Sequence, residues 1–248
     1  MNNSEYKNMY EHEASHFFYR ITHDAIIKLV KSLNATKRTK VLDVGCGTGL
    51  LVKKLNAFTD AEGVDSHPNA IKFAKRRNII IKKGSITKLP YTTGAFDVVV
   101  CIDVLCHRSI KNDAEAVNEL KRILKPGGNL IIRVPAHQFL YSNHDAFVFT
   151  KKRYSYGHFK KLLIQSGLTL SYYSYMNMFL YIPTYLKKIN REEVIEECRI
   201  VGQVSQPGYQ LSRLLDHNIR ELSHRESYSV TIWDRTSCSM PKKAKPLN

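Results

Sequence analysis

Val41-Leu42-Asp43-Val44-Gly45-Cys46-Gly47-Thr48-Gly49 decides how this chain folds. Its first four residues are apolar except for one acid, the texture of a short strand covered on both faces. Three glycines then alternate with other residues. Glycine reaches φ > 0 without steric cost and lets a ligand approach the backbone, because no Cβ intervenes. From Leu50 to about Ala57 the pattern becomes helical, so the glycines lie where a strand turns into a helix whose first N–H groups are free. Asp65, twenty residues beyond Gly45, closes a second short strand over 61–65. An acid there accepts hydrogen bonds from both ribose hydroxyls of a nucleoside.

Outward from this segment the pattern repeats. Pro68 suits the first turn of a helix running to about Arg77. Ile79 to Lys83 reads as a third strand, and Phe96-Asp97-Val98-Val99-Val100-Cys101-Ile102 as a fourth. Asp113 to Leu124 spaces apolar residues helically, and Lys125-Pro126-Gly127-Gly128 ends that helix before a fifth strand over 129–134. Five strands alternating with helices imply an α/β fold with a doubly wound, parallel sheet. Residues 5–33 read as helical. After Pro135 come an irregular aromatic stretch to about Tyr154, a helix over 155–166 and a strand-like run from Leu168. Helical regions around 181–198 and 210–224 follow, then a late strand over 228–233 and a loose basic tail over 234–248.

Composition bounds the function. The 248 residues are 43% hydrophobic and 24% charged, which suits a globular chain with a sizeable core. No apolar stretch is long enough to span a bilayer, and the polar, acid-bearing N-terminus does not read as a signal peptide. Five cysteines form no CxxC pair and no Cys/His metal cluster, so they read as reduced thiols of a cytoplasmic protein and no metal is expected. The net charge of +16 favours anionic partners, or serves solubility alone.

A dinucleotide site is the main competitor for the glycine turn. Its GxGxxG spacing fails here, because Leu50 stands at the third glycine position. Asp43 adds negative charge close to the turn, a poor neighbour for pyrophosphate and a good one for a ligand bearing an ammonium and a sulfonium. Four segments together resemble class I methyltransferases of the small-molecule, quinone-biosynthesis type: VLDVGCGTG (41–49), EGVDSHPNAIKFAK (62–75), KLPYTTGAFDVVVCIDVLCH (88–107) and LKRILKPGGNLIIRVP (120–135). The resemblance spans about Lys40 to Ala136. It implies a Rossmann-like, mostly parallel, seven-stranded sheet with helices on both faces, an N-terminal helical lid and a C-terminal helical insertion. It divides the chain into an N-terminal cap (1–35), a methyltransferase domain (36–233) with a cofactor core at 40–136 and acceptor-side insertions at 137–227, and the tail.

The implied cofactor is S-adenosyl-L-methionine, leaving as S-adenosyl-L-homocysteine. The resemblance places it against Asp43, Gly45, Cys46, Gly47 and Gly49 of the turn, and on Asp65 and Ser66 of the ribose strand. Gly84, Ser85 and Ile86 beyond strand three, and Ile102 of strand four, complete that set. Two positions depart from the family pattern. Ser85 follows Gly84 where an acid commonly bonds the adenine amine, and Cys106 replaces a glutamate before His107.

The flanks resemble a bacterial subgroup linked with glycan or lipid-carrier genes. Glu13-Ala14-Ser15-His16-Phe17-Phe18-Tyr19-Arg20 is similar to its E-x-x-H-W/F-W/F-Y/F-R start. His144-Asp145 and Arg153-Tyr154 keep the ends of its HDxxxGHxRRY segment. His144 is a candidate base or a loop residue, and His107 a candidate base or packing beneath the cofactor. Arg153 and Tyr154 are candidates for binding an anionic acceptor or for capping the next helix. Tyr10, Phe18 and Tyr19 form an acceptor-side lid or ordinary core. The expected reaction is in-line methyl transfer to an O or N atom of a small or carrier-linked acceptor. The alternatives are an RNA methyltransferase, motivated by the positive charge, and a non-catalytic homologue that binds the cofactor.

Overall fold

The computed structural model describes residues 3–176. Five parallel strands, β1 (Lys40–Val44), β2 (Asp60–Asp65), β3 (Ile81–Lys83), β4 (Phe96–Ile102) and β5 (Leu124–Arg133), form a sheet in the order β3-β2-β1-β4-β5. The order reverses between β1 and β4, which opens a crevice at the carboxyl ends of those two strands. Val44 pairs with Val64 on one side and Cys101 on the other, so all three strands deliver their last residues to that crevice.

Alternation along the buried strands explains the layers. Val41, Val98, Val100 and Ile131 pack with residues of α2 (Phe17–Ser32), α3 (Leu50–Leu55) and α4 (Pro68–Arg76), among them Ile26, Val30, Leu51, Leu55 and Phe73. Their neighbours Leu42, Val99, Leu130 and Ile132 are equally buried and point the other way. The crossover through α5 (Asp113–Ile123) packs on β5, and α7 (Tyr156–Gln165) packs on α5. Burial of both faces is why the strands read as continuous apolar runs.

The expected helical stretch over 5–33 is two helices, α1 (Asn3–His12) and α2. His16 has extended backbone and caps α2, its Nδ1 accepting from the Phe18 N–H at 3.4 Å, while Glu13 in the intervening turn is driven inward. β3 is shorter than expected because Ile80 is 93% exposed. The strand-like run from Leu168 is not a strand through residue 176. Gly167, at φ +70°, stops α7, and the Leu168 N–H reaches back to the Leu163 carbonyl at 3.0 Å. Leu168 is thus the buried residue that closes the helix stop. The described sheet therefore has five strands where seven were expected. The late strand, the helical regions 181–198 and 210–224 and the basic tail lie outside the described residues.

Candidate functional site

The turn after β1 takes the conformation its glycines allow, with φ of +74° at Gly45, +53° at Gly47 and +78° at Gly49. A Cβ on Gly45 would stand 2.1 Å from Val104 Cγ2, so the turn after β1 and the turn after β4 touch at the crevice. The Gly45 and Cys46 N–H groups both donate to the Val64 carbonyl, at 2.8 and 3.2 Å. Cys46 turns its side chain back towards Gly63 and buries it, so the backbone of the turn is what faces the crevice. Burial holds that thiol well above its usual range.

Asp65 closes the site from β2. Its carboxylate accepts from the Gly47 N–H at 3.0 Å and from the His67 N–H at 2.8 Å. It is only 7% exposed; burial raises its pKa, and the two N–H donors oppose the rise. The carboxylate is thus oriented before any ligand arrives. Asp43, one residue before the end of β1, is completely buried, and burial together with Glu13 and Asp65 pushes its pKa up to about 8. Ser66 is exposed beside Asp65. Gly84 follows β3, donates to the Asp65 carbonyl at 3.1 Å and leaves room that Pro90 would deny a Cβ. Ser85 shares a hydrogen bond with Thr87 at 3.0 Å, Ile86 is buried behind it, and Ile102 is partly buried at the end of β4.

The N-terminal helix also contributes to this site, and of its residues the sequence had pointed only to Tyr10. Tyr6, Met9, Tyr10 and Glu13 recur at helical spacing at the N-terminus, and they bring α1 onto the glycine turn. Tyr6 stacks on the His67 ring with centroids 4.4 Å apart and is buried next to Asp65. Met9 Sδ lies 3.0 Å from where a Gly47 Cβ would be. Tyr10 stacks on Phe73 at 5.1 Å and lies under the Arg77 guanidinium at 4.5 Å, so it joins α1 to α4. Glu13 is 4% exposed and accepts from the Thr48 hydroxyl, inside the glycine turn, and from Arg77 at 3.2 Å. His23 lies 3.6 Å from the same carboxylate, but burial drives its pKa to about 3, so it is a neutral neighbour. The signal for Glu13 was present in the E-x-x-H pattern; its destination in space was not.

Around the carboxyl ends of β4 and β5, Phe18 lies over the Arg133 guanidinium at 4.8 Å and meets Tyr19 edge-on at 5.8 Å. Arg133 pairs with Asp103. His107 shares a 2.7 Å hydrogen bond with Ser109 and meets Phe149 edge-on; burial and nearby positive charge hold its pKa down to about 4, so it is neutral. Cys106 is turned inward, its thiol donating to the Asp103 carbonyl at 3.1 Å. His144 is exposed in α6 (Asn143–Phe147), and the Asp145 carboxylate beside it faces Ser142 and Arg153.

Arg153 and Tyr154 have their polar atoms engaged within the protein. Arg153 Nε and Nη2 each donate to Asp145 at 3.0 Å, and Nη1 donates to the Ala136 carbonyl at 3.3 Å. The Tyr154 hydroxyl is buried between the Asp113 carboxylate, at 2.8 Å, and the Leu105 carbonyl, at 3.2 Å. Their polar atoms hold the segment after β5 in place. Arg153→Ala strands a buried Asp145 carboxylate, and we expect a loss of about 2 kcal/mol, read by chemical denaturation.

The comparisons with known proteins agree with this geometry. A family model described as a methyltransferase domain matches residues 42–132. Demethylmenaquinone methyltransferase of Staphylococcus aureus is 28% identical over 136 residues, covering 49% of this chain and 56% of the relative. The chain thus spans about half the length of the curated relatives it matches. Among solved structures, phosphoethanolamine N-methyltransferase 2 of Haemonchus contortus, in complex with S-adenosyl-L-methionine, shares the fold with a TM-score of 0.58 at 17% identity, over 87% of this chain and 52% of that one. A SAM-dependent methyltransferase of Aquifex aeolicus does so with a TM-score of 0.54 at 17% identity, over 71% and 93%. With its glycine turn and ribose-strand acid inside the matched region, the chain matches a methyltransferase-domain family over residues 42–132 and is similar, over about half its length, to demethylmenaquinone methyltransferase.

Proposed function

We propose that this protein transfers a methyl group from S-adenosyl-L-methionine to an O or N atom of a small or carrier-linked acceptor, leaving S-adenosyl-L-homocysteine. The observation that carries the reading is the Asp65 carboxylate, buried and fixed by two backbone N–H groups beside a glycine turn of positive φ. The residues present fit such a donor: Asp65 would receive the ribose hydroxyls, and the glycine turn, partly exposed at Gly45 and buried at Gly47 and Gly49, would lie against it. Asp43 and the neighbouring acids supply negative charge near the donor's cationic end. Bound there, S-adenosylmethionine supplies an electrophilic methyl for in-line displacement. The protein's tasks are then to orient the acceptor and exclude water. Tyr6 and Met9 of α1, and Phe18 and Tyr19 of α2, supply the apolar cover that this requires. His107, neutral and close to the end of β4, is a candidate to take the acceptor's proton, with His144 the second candidate.

Asp43 gives the reading a pH signature. Its folded pKa of about 8 lies above the ordinary 3.8, so its protonated form stabilises the fold. That contribution is fully present below the unfolded pKa and is lost as pH rises through the folded value. A cationic ligand favours the carboxylate, so donor binding near pH 7 should release up to about one proton at Asp43. Titration calorimetry in buffers of different ionisation heat measures this, and Asp43→Asn should abolish the part that Asp43 contributes.

The function itself is tested by incubating the protein with isotopically labelled donor and a cell extract, then following the label by mass spectrometry. Label on a small molecule supports the proposal. Label confined to RNA would favour the second reading, which the +16 charge motivates, and RNA binding should then fall steeply with salt. Donor binding with no labelled product would point to the non-catalytic homologue. Among the described residues no helix is long and apolar enough to cross a membrane, and no side-chain cluster suits a metal ion.

A further inference from the structure

The turn from α4 into β3 sets a bare apolar side chain among cations. Between Asp65 and Asp97 the chain has no acid and seven lysines and arginines. Asn78, left-handed at φ +59°, stops α4, and the Ile79 N–H reaches back to the Ala74 carbonyl at 3.0 Å. Ile79 then joins the core beside Gly49, and Ile81 is buried. Alternation turns the residue between them outward, at an edge strand of the described sheet, so Ile80 stands 93% exposed. Lys75, Arg76 and Lys83 are exposed around it, and among the described residues none of the three has a carboxylate partner. The acids of adjoining elements are engaged elsewhere: Glu62 with Lys82 at 3.1 Å, Glu13 with Arg77 at 3.2 Å and Glu11 with Lys7 at 3.9 Å. The rings nearby do not offer a platform for stacking bases, because Phe73 is buried under Arg76 and Lys82 covers Tyr91 at 4.3 Å. A single exposed isoleucine is ordinary on a protein surface. One at the tip of a turn, collared by unpaired cations and without acids, has the layout of an interfacial anchor.

We propose that this turn docks the protein on an anionic lipid bilayer. Ile80 enters the boundary between headgroups and acyl chains, and Lys75, Arg76 and Lys83 meet the lipid phosphates. About 13 Å of strand separates Ile80 from Gly84 at the candidate donor site, so the two surfaces are distinct.

Co-sedimentation of the full chain with vesicles tests this without a methyl donor, so its outcome is independent of the methyltransferase reading. At low salt the protein should bind phosphatidylcholine vesicles containing about one-third phosphatidylglycerol, and bind pure phosphatidylcholine about 100-fold less. Each cation near an anionic leaflet is worth about fivefold in partitioning, so Lys75→Gln/Arg76→Gln/Lys83→Gln should lose about 100-fold. Ile80→Ser keeps every charge and should lose about tenfold, the share of a partly inserted isoleucine. Its melting temperature should stay within about 2 °C of wild type, because the side chain removed faces solvent. Lys111→Gln/Lys160→Gln/Lys161→Gln removes the same charge from exposed positions before α5 and on α7, and it should lose less than about threefold. A loss in this control equal to that of the first triple reduces the binding to net charge and overturns the proposal. Wild-type protein that ignores the vesicles, or binds both compositions equally, overturns it too, as does Ile80→Ser binding within about twofold of wild type. Single-stranded RNA binding that the first triple abolishes while vesicle binding persists would make the turn a nucleic-acid surface instead.

Discussion

Asp65→Ala is expected to weaken S-adenosylmethionine binding by about 100-fold while the protein stays folded. The magnitude follows from two hydrogen bonds between a carboxylate and ribose hydroxyls, each worth about 1.5 kcal/mol when one partner is charged. The same carboxylate now receives the Gly47 and His67 N–H groups, so the alanine variant also loosens the turn that should hold the donor. Loss of fold is not expected, because Asp65 lies at the strand's end and the core beneath it is carried by Val41, Val64 and Val98. Calorimetry on the variant, with circular dichroism to check its fold, makes the measurement. An unchanged Kd would separate Asp65 from the ribose.

Glu13→Ala should produce the largest loss of stability among polar substitutions, about 3 kcal/mol, or roughly 6–12 °C in melting temperature. The carboxylate is buried where α1 ends, and removing it leaves the Arg77 guanidinium, 11% exposed, and the Thr48 hydroxyl without their shared partner. Burial is the main influence on Glu13 and raises its pKa, opposed by Thr48, Arg77 and Lys54. Since Thr48 belongs to the glycine turn, donor affinity should fall as well, by about tenfold. Glu13→Gln keeps the size and one acceptor oxygen, and it should recover part of both losses. Denaturant melts and calorimetry on the two variants distinguish this shared role from simple packing, which glutamine would restore in full.

The parts of the fold legible in the sequence were those fixed by local pattern. β1 and β4 are short apolar runs because both faces are covered, and the strand over 96–102 has the bounds that run suggests. The glycine turn was legible because three positive φ values leave few alternatives to glycine. Gly167 also marked the end of α7, yet Leu168 beyond it read as strand, since a buried apolar residue looks alike in both settings. What the sequence could not disclose was contact across distance. Glu13 meets Thr48 and Arg77 through 35 and 64 residues of chain. Arg153, a candidate for binding the acceptor, proves to pair with Asp145.

The central claim is that the crevice between β1 and β4 holds a cationic nucleoside through Asp65. A crystal structure of the protein grown with saturating S-adenosyl-L-methionine tests it most directly. We predict the ribose hydroxyls within hydrogen-bond distance of the Asp65 carboxylate and the donor's sulfonium end near Asp43 and the glycine turn. A crevice that stays empty at saturating donor, or that takes up the pyrophosphate of a dinucleotide instead, would contradict the account.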